Sequence, residues 1–156
     1  MEKKIKICAI TTIQKTMDWF IVDSMRNLAK NGYDVTLMCD MDEDFIAQNS
    51  DYAKCIPLTM SRGVSVKDLF TVTLKMRKIF KREKFDVIYF TSPNASMYAS
   101  VAGWLAGVKI RFYSQCGLRY VSFEGIKRLI FKTVEKLTCM FSTHIRAQSP
   151  KNMQFA

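Results

Sequence analysis

The sequence predicts an α/β domain with a doubly wound, largely parallel sheet of about six strands and helices on both faces. Three observations predict it. Short apolar runs alternate with stretches of helical periodicity from one end of the chain to the other, which is the pattern of βαβ units joined by right-handed crossovers. Glycines stand at the helix-to-strand junctions Asn31-Gly32 and Ala106-Gly107, where a left-handed residue can end a helix. The length of 156 residues and the hydrophobic content of 49% suit one domain with one continuous core, spanning residues 1–156.

Each element carries its own signal. Ile5, Ile7, Ala9 and Ile10 form a first strand suited to burial on both faces, and residues 11–16 are its loop. From Met17, the residues Phe20, Ile21, Met25, Leu28 and Ala29 recur at helical spacing as far as Asn31-Gly32. Residues 34–39 read as a second strand, 40–44 as an acidic turn followed by a short connection, and 54–57 as a short third strand. Leu69, Val72, Met76 and Ile79 mark one face of a helix over 65–84, with Lys67, Lys75, Arg77, Lys78, Lys81 and Arg82 around the rest. Residues 85–90 give a fourth strand, and 91–94 a turn able to cap the helix over 95–105. A fifth strand at 109–114 and a loop over 115–124 lead to a helix marked by Ile126, Leu129, Ile130, Val134, Leu137 and Phe141, with Lys127, Arg128, Lys132 and Lys136 elsewhere on it. Residues 144–147 form a sixth strand.

Composition narrows the function classes. The 24 Lys and Arg against 14 Asp and Glu give a formal net charge of +10, a field that favours phosphates, anionic lipid or nucleic acid. Nucleic acid ranks last, because the aromatic residues sit mostly within apolar stripes and do not alternate with Lys and Arg on an open surface. The five cysteines contain no CxxC pair and accompany a single histidine, His144. That argues against a zinc site and for a reducing, cytoplasmic compartment. The N-terminus lacks the apolar stretch and small-residue cleavage site of a signal peptide. The most apolar segment, 95–108, is shorter than the roughly 20 residues a bilayer span needs and reads as a buried helix.

The turn after the first strand, residues 11–16, holds no glycine, so neither a dinucleotide fingerprint nor a P-loop is present. No GxSxG elbow and no HExxH pair occurs. His144, at a strand entrance, reads as a structural residue.

Five segments, in this order, carry a resemblance: NGYDVTL at 31–37, FDVIY at 85–89, AGWLAGV at 102–108, QCGL at 115–118 and TVE at 133–135. Together they cover nearly the whole chain and resemble the N-terminal, acceptor-side domain of family 4 glycosyltransferases of the GT-B fold. The resemblance implies a Rossmann-like domain that holds the acceptor and faces a second, donor-binding domain across a cleft. It also implies transfer with retained anomeric configuration and without a catalytic metal or other cofactor, the nucleotide-sugar donor being bound mainly by the second domain. That donor-binding domain is expected to lie beyond Ala156.

In such a sheet ligands meet the carboxyl ends of the strands. By resemblance the substrate-side residues are Thr12 and Gln14 after the first strand, Ser92 and Asn94 after the fourth, and Cys116, Gly117 and Arg119 after the fifth. Gly117 can bring backbone N–H groups against a ligand. Arg119 has the fork that pairs with phosphate. Relatives often carry histidine where Cys116 stands, which puts an imidazole-dependent role there in doubt. Glu135 matches a family position and reads as an orienting residue, and Ser149 as a helix cap.

The function expected is the acceptor-binding half of a glycosyltransferase making a capsule, exopolysaccharide or lipopolysaccharide. Its partners are a sugar or lipid-linked acceptor and a donor-binding domain or subunit. The two basic helices suit peripheral attachment to an anionic membrane surface at its inner face. An alternative is a non-catalytic, membrane-associated subunit that recruits a separate donor-binding protein.

Overall fold

A first strand, β1 (Lys6–Ile13), runs through the middle of the molecule with six of its eight residues buried. The computed structural model describes residues 4–60, 66–117 and 119–148, without the side chains of 66–68 and Arg119. Parallel pairing joins β1 to β2 (Asp34–Asp40) on one side and to β4 (Val87–Phe90) on the other. Outward from these lie β3 (Ala53–Pro57), then β5 (Ile110–Gln115) and β6 (His144–Ala147). The order is β3-β2-β1-β4-β5-β6, and each of the five pairings is parallel. The chain therefore winds outward from β1 in both directions, which reverses the side of the sheet its crossover helices occupy.

Two cores result from the period of two along each strand. Ile7, Ala9, Val35, Leu37 and Cys39 face helices α1 (Gln14–Phe20), α2 (Val22–Lys30) and α3 (Glu43–Asn49), with Met17, Ile21, Met25 and Phe45 packed on them. Cys8, Ile10, Met38, Ile88, Phe90 and Tyr113 face the opposite layer, α4 (Val66–Glu83), α5 (Pro93–Ala106) and α6 (Gly125–Phe141). From that layer come Val72, Met76, Phe80, Met97, Tyr98 and Ala102.

Several boundaries differ from the sequence reading. Residues 11–13 are strand, not loop: β-branched Thr11, Thr12 and Ile13 extend β1, with a register shift against β2 between Ile10 and Ile13. The single helix expected after Met17 is two, broken at Ile21, whose φ of −124° takes it out of helical geometry. The acidic turn at 40–44 instead leads into α3, because the Asp42 carboxylate accepts from the Phe45 N–H at 2.9 Å and Phe45 is buried. Residues 119–122 form a 3-10 turn within the expected loop. Helix α5 starts at Pro93, so Asn94 lies inside it, and β4 starts at Val87, two residues late. Ser65, the expected start of α4, and Ser149 lie outside the described residues.

Candidate functional site

The tips of β1 and β4 are tied together by hydroxyls. The Thr12 N–H donates to Ser92 Oγ at 3.1 Å, and the two hydroxyl oxygens lie 2.8 Å apart. Ser92 holds this position at φ 71° and ψ 139°, a backbone state that costs a non-glycine residue on the order of 1–3 kcal/mol. Its side chain makes no cap hydrogen bond to α5. The residue at the capping position thus braces the sheet and does not cap α5 with its side chain.

Beside this brace opens a cavity of about 660 Å³, within the size range of small-molecule sites. Thr91, Ser92 and Pro93 line it from the β4–α5 turn, and Ser114, Cys116 and Gly117 from the end of β5. Thr16, Phe20, Ile21 and Ser24 close it from α1 and α2, and Arg146 and Gln148 from the end of β6. Tyr89 joins them from β4, on the strand face opposite to buried Ile88 and Phe90. Across the sheet its ring stacks on Phe112 with centroids 5.5 Å apart, and Phe112 stacks on His144 at 6.3 Å. Helices α1, α2 and α3 pack over β1, β2 and β3. On the same face β4, β5 and β6 present this aromatic row, with Phe112 half-buried and His144 exposed.

Gly117 has φ 154° and open space where a Cβ would stand, so its place on the rim depends on glycine for backbone reasons. Cys116 is exposed. Its sulfur lies 2.8 Å from Thr91 Oγ1 and accepts from Gln148 Nε2 at 3.3 Å. Beneath this rim, Glu135 on α6 anchors the end of β5. Its carboxylate accepts from the Tyr113 hydroxyl at 3.0 and 3.2 Å and from the Gln115 side-chain amide. Burial first, and the Glu135 charge second, push the Tyr113 pKa far above its ordinary value, so this hydroxyl stays a donor. Glu135 orients the rim and does not line the cavity.

The structure brings Ser92, Cys116 and Gly117 together around the cavity, with Thr12 directly behind Ser92. Gln14 and Asn94 are elsewhere. The Gln14 amide clasps Asp42, donating to its carboxylate and accepting from its backbone N–H at 2.7 Å. The Gln14 bond and the Phe45 N–H, in that order, hold the Asp42 carboxyl below its usual range. Asn94 is buried in the first turn of α5. Arg119 starts the 3-10 turn after β5, and its side chain is not described.

Sequence reasoning missed Phe20, Tyr89 and Arg146. The period of two in β4 and β6 was the signal for the last two, since it separates Tyr89 from Ile88 and Phe90, and Arg146 from Ile145. Phe20 carried no such signal, because it looked like one more core position on a helix. In the structure it is 66% exposed.

The chain is 25% identical over 147 residues to the capsular polysaccharide biosynthesis glycosyltransferase CapM of Staphylococcus aureus, a match covering 94% of this chain and 38% of CapM. Among solved structures, a putative UDP-N-acetylglucosamine 2-epimerase from Listeria monocytogenes superposes with a TM-score of 0.70 at 14% identity, over 99% of this chain and 42% of that one. MurG from Acinetobacter baumannii superposes with a TM-score of 0.65 at 11% identity, over 95% and 42%. The chain thus spans less than half the length of each of these proteins. A description of the family "Glycosyl transferase 4-like" matches residues 6–149. Because that match enters at the first residue of β1 and runs past the end of β6, the chain belongs to the glycosyl transferase 4-like family.

Proposed function

We propose that this chain is the acceptor-side half of a glycosyltransferase that moves a sugar from a nucleotide-sugar donor to a polysaccharide or glycolipid acceptor of the cell envelope. Family membership supports the reaction class, and the likeness to CapM, named for capsular polysaccharide biosynthesis, supports an envelope acceptor. A donor-binding half facing this one fits the share of the relatives that the chain spans.

The observation that carries the acceptor role is the cavity at the carboxyl ends of β4, β5 and β6. It has an aromatic floor at Tyr89, an aromatic wall at Phe20 and hydroxyls from Thr16, Ser24, Thr91, Ser92 and Ser114. A pyranose ring has apolar C–H faces and a polar equator. Flat rings below it and short hydroxyl side chains around it match both.

The same reading places the protein in the cytoplasm, against the inner membrane face. No described helix is long and apolar enough to cross a membrane. The outer surface of α4, α5 and α6 exposes Phe70, Leu74, Trp104, Ile126, Leu129 and Met140 among lysines, a combination suited to peripheral attachment.

The test is steady-state kinetics with the enzyme completed by a donor-binding domain, comparing the wild type with Tyr89→Ala. Loss of the ring is expected to raise the acceptor KM about tenfold and leave the donor KM unchanged. An unchanged acceptor KM, or an effect confined to the donor KM, rules the acceptor assignment out.

A further inference from the structure

The cavity is rich in hydroxyls and poor in charge. Among its described lining residues no Asp or Glu occurs, and Arg146 is the one cation. Other arginines are engaged within the protein. Arg111 donates to the carbonyls of Phe141 and Val108, Arg77 to that of Leu105, and Arg82 to Glu83, while Arg26 lies over the Tyr52 ring. The Arg146 side chain has no hydrogen bond or ion pair among the described residues.

Its position is fixed by register. Arg146 pairs with Ser114 on β5, and both line the cavity from the sheet face that carries the aromatic row. His144, two residues earlier on β6, ends that row. The guanidinium therefore stands at the carboxyl-end rim of a platform formed by Tyr89 and Phe112. The N-terminus of α5 opens on the same cavity through Ser92 and Pro93 and adds positive potential.

A guanidinium is permanently charged and presents a planar fork of donors. Placed beside a sugar-sized cavity without a carboxylate partner, it selects for a ligand that brings the anion. We propose that the acceptor taken by this cavity is an acidic saccharide whose carboxylate or phosphate ester is received by Arg146. The proposal rests on reading the cavity as an acceptor site. A neutral sugar would leave the guanidinium without a countercharge, and a bare anion would leave the aromatic floor and the hydroxyls without partners.

The experiment is titration of the isotopically labelled full chain, followed by amide chemical shifts, with glucuronic acid, glucose 1-phosphate, glucose and inorganic phosphate. Glucuronic acid or glucose 1-phosphate is expected to shift the amides of Tyr89, Ser92 and Gly117 at concentrations about tenfold below those glucose needs. The tighter of the two acids identifies the anion as carboxylate or phosphate. Arg146→Gln is expected to abolish the difference, and Arg146→Lys to keep part of it, because charge survives without the fork. Equal binding of glucose, an undiminished preference in Arg146→Gln, or inorganic phosphate binding as tightly as glucose 1-phosphate overturns the proposal. If glucose binds and Tyr89→Ala abolishes that binding, the acceptor site stands and only its acid preference falls. If no saccharide perturbs the cavity, both fall.

Discussion

Ser92 carries a backbone strain and two hydrogen bonds at once, and its two neutral substitutions separate them. Ser92→Ala removes both bonds to Thr12 and keeps a Cβ at φ 71°. Ser92→Gly removes the same bonds and relieves the strain. The alanine variant is expected to lose about 1–3 kcal/mol of stability and the glycine variant about 1 kcal/mol less than that. Urea unfolding of the three proteins measures the order, and an alanine variant as stable as the glycine one contradicts it. At this scale the sequence was only partly legible. The turn at 91–94 reads as able to cap the helix that follows, whereas the Ser92 side chain braces Thr12 and makes no cap hydrogen bond. Gln14 looked like a loop residue free to meet a ligand, whereas its amide closes a clasp with Asp42, 28 positions away. Pairings at such separations leave no local signal in a single sequence.

The helices that were legible are those whose apolar residues recur at helical spacing over many turns, although Ile126, Leu129 and Ile130 of the α6 stripe are exposed in the structure. Helices α4 and α6 showed one apolar stripe each and are where the stripes placed them, whereas α3 has seven residues, fewer than a periodic pattern needs. The same two helices concentrate charge. Residues 1–60 hold seven Lys and Arg against nine Asp and Glu, while residues 61–156 hold 17 against five. Of those five acids, Glu83, Asp86 and Glu135 are already engaged, with Lys54 and Arg82, with the Lys6 N–H, and with Tyr113 and Gln115. The α4–α6 layer therefore projects a basic field among exposed apolar side chains. The protein is expected to pellet with vesicles containing anionic lipid at low salt and to release at about 0.5 M salt, where the screening length is only a few ångströms. Reversing Lys78, Lys132 and Lys136 to glutamate is expected to weaken binding at least about tenfold, since each lysine near such a surface is worth about 1 kcal/mol. Equal binding to neutral vesicles, or indifference to the three reversals, contradicts a charge-guided surface.

The whole molecule is a sheet with helices on both faces, its central strands β1 and β2 sealed between two cores, and this was the most legible level. Apolar strands such as Ile7 to Ile10 alternate between the two cores, so their unbroken hydrophobicity already implied layers on either side. The seal has a consequence for pH. Cys8 lies in one core and Cys39 in the other, both fully enclosed. Burial raises the Cys8 thiol well above its ordinary value of 9.0 and pushes Cys39 up to about 12. In the unfolded chain both thiols ionise near pH 9, while in the folded protein they keep their protons. Above that pH the folded state binds more protons than the unfolded state, so stability falls as pH rises. The contribution is intact below about pH 8 and lost progressively from about pH 9 toward 12, at up to about 1.4 kcal/mol per thiol per pH unit. Urea midpoints under reducing conditions are therefore expected to drop between pH 7.5 and 10.5. In a Cys8→Ala, Cys39→Ala variant the protein is less stable at neutral pH because two cavities are created, yet its midpoint should fall less over the same interval. Cys55, Cys139, Tyr52, Tyr113 and Tyr120, also raised by burial, account for the decline that remains. An equally steep decline in the variant and the wild type removes the buried thiols as its cause.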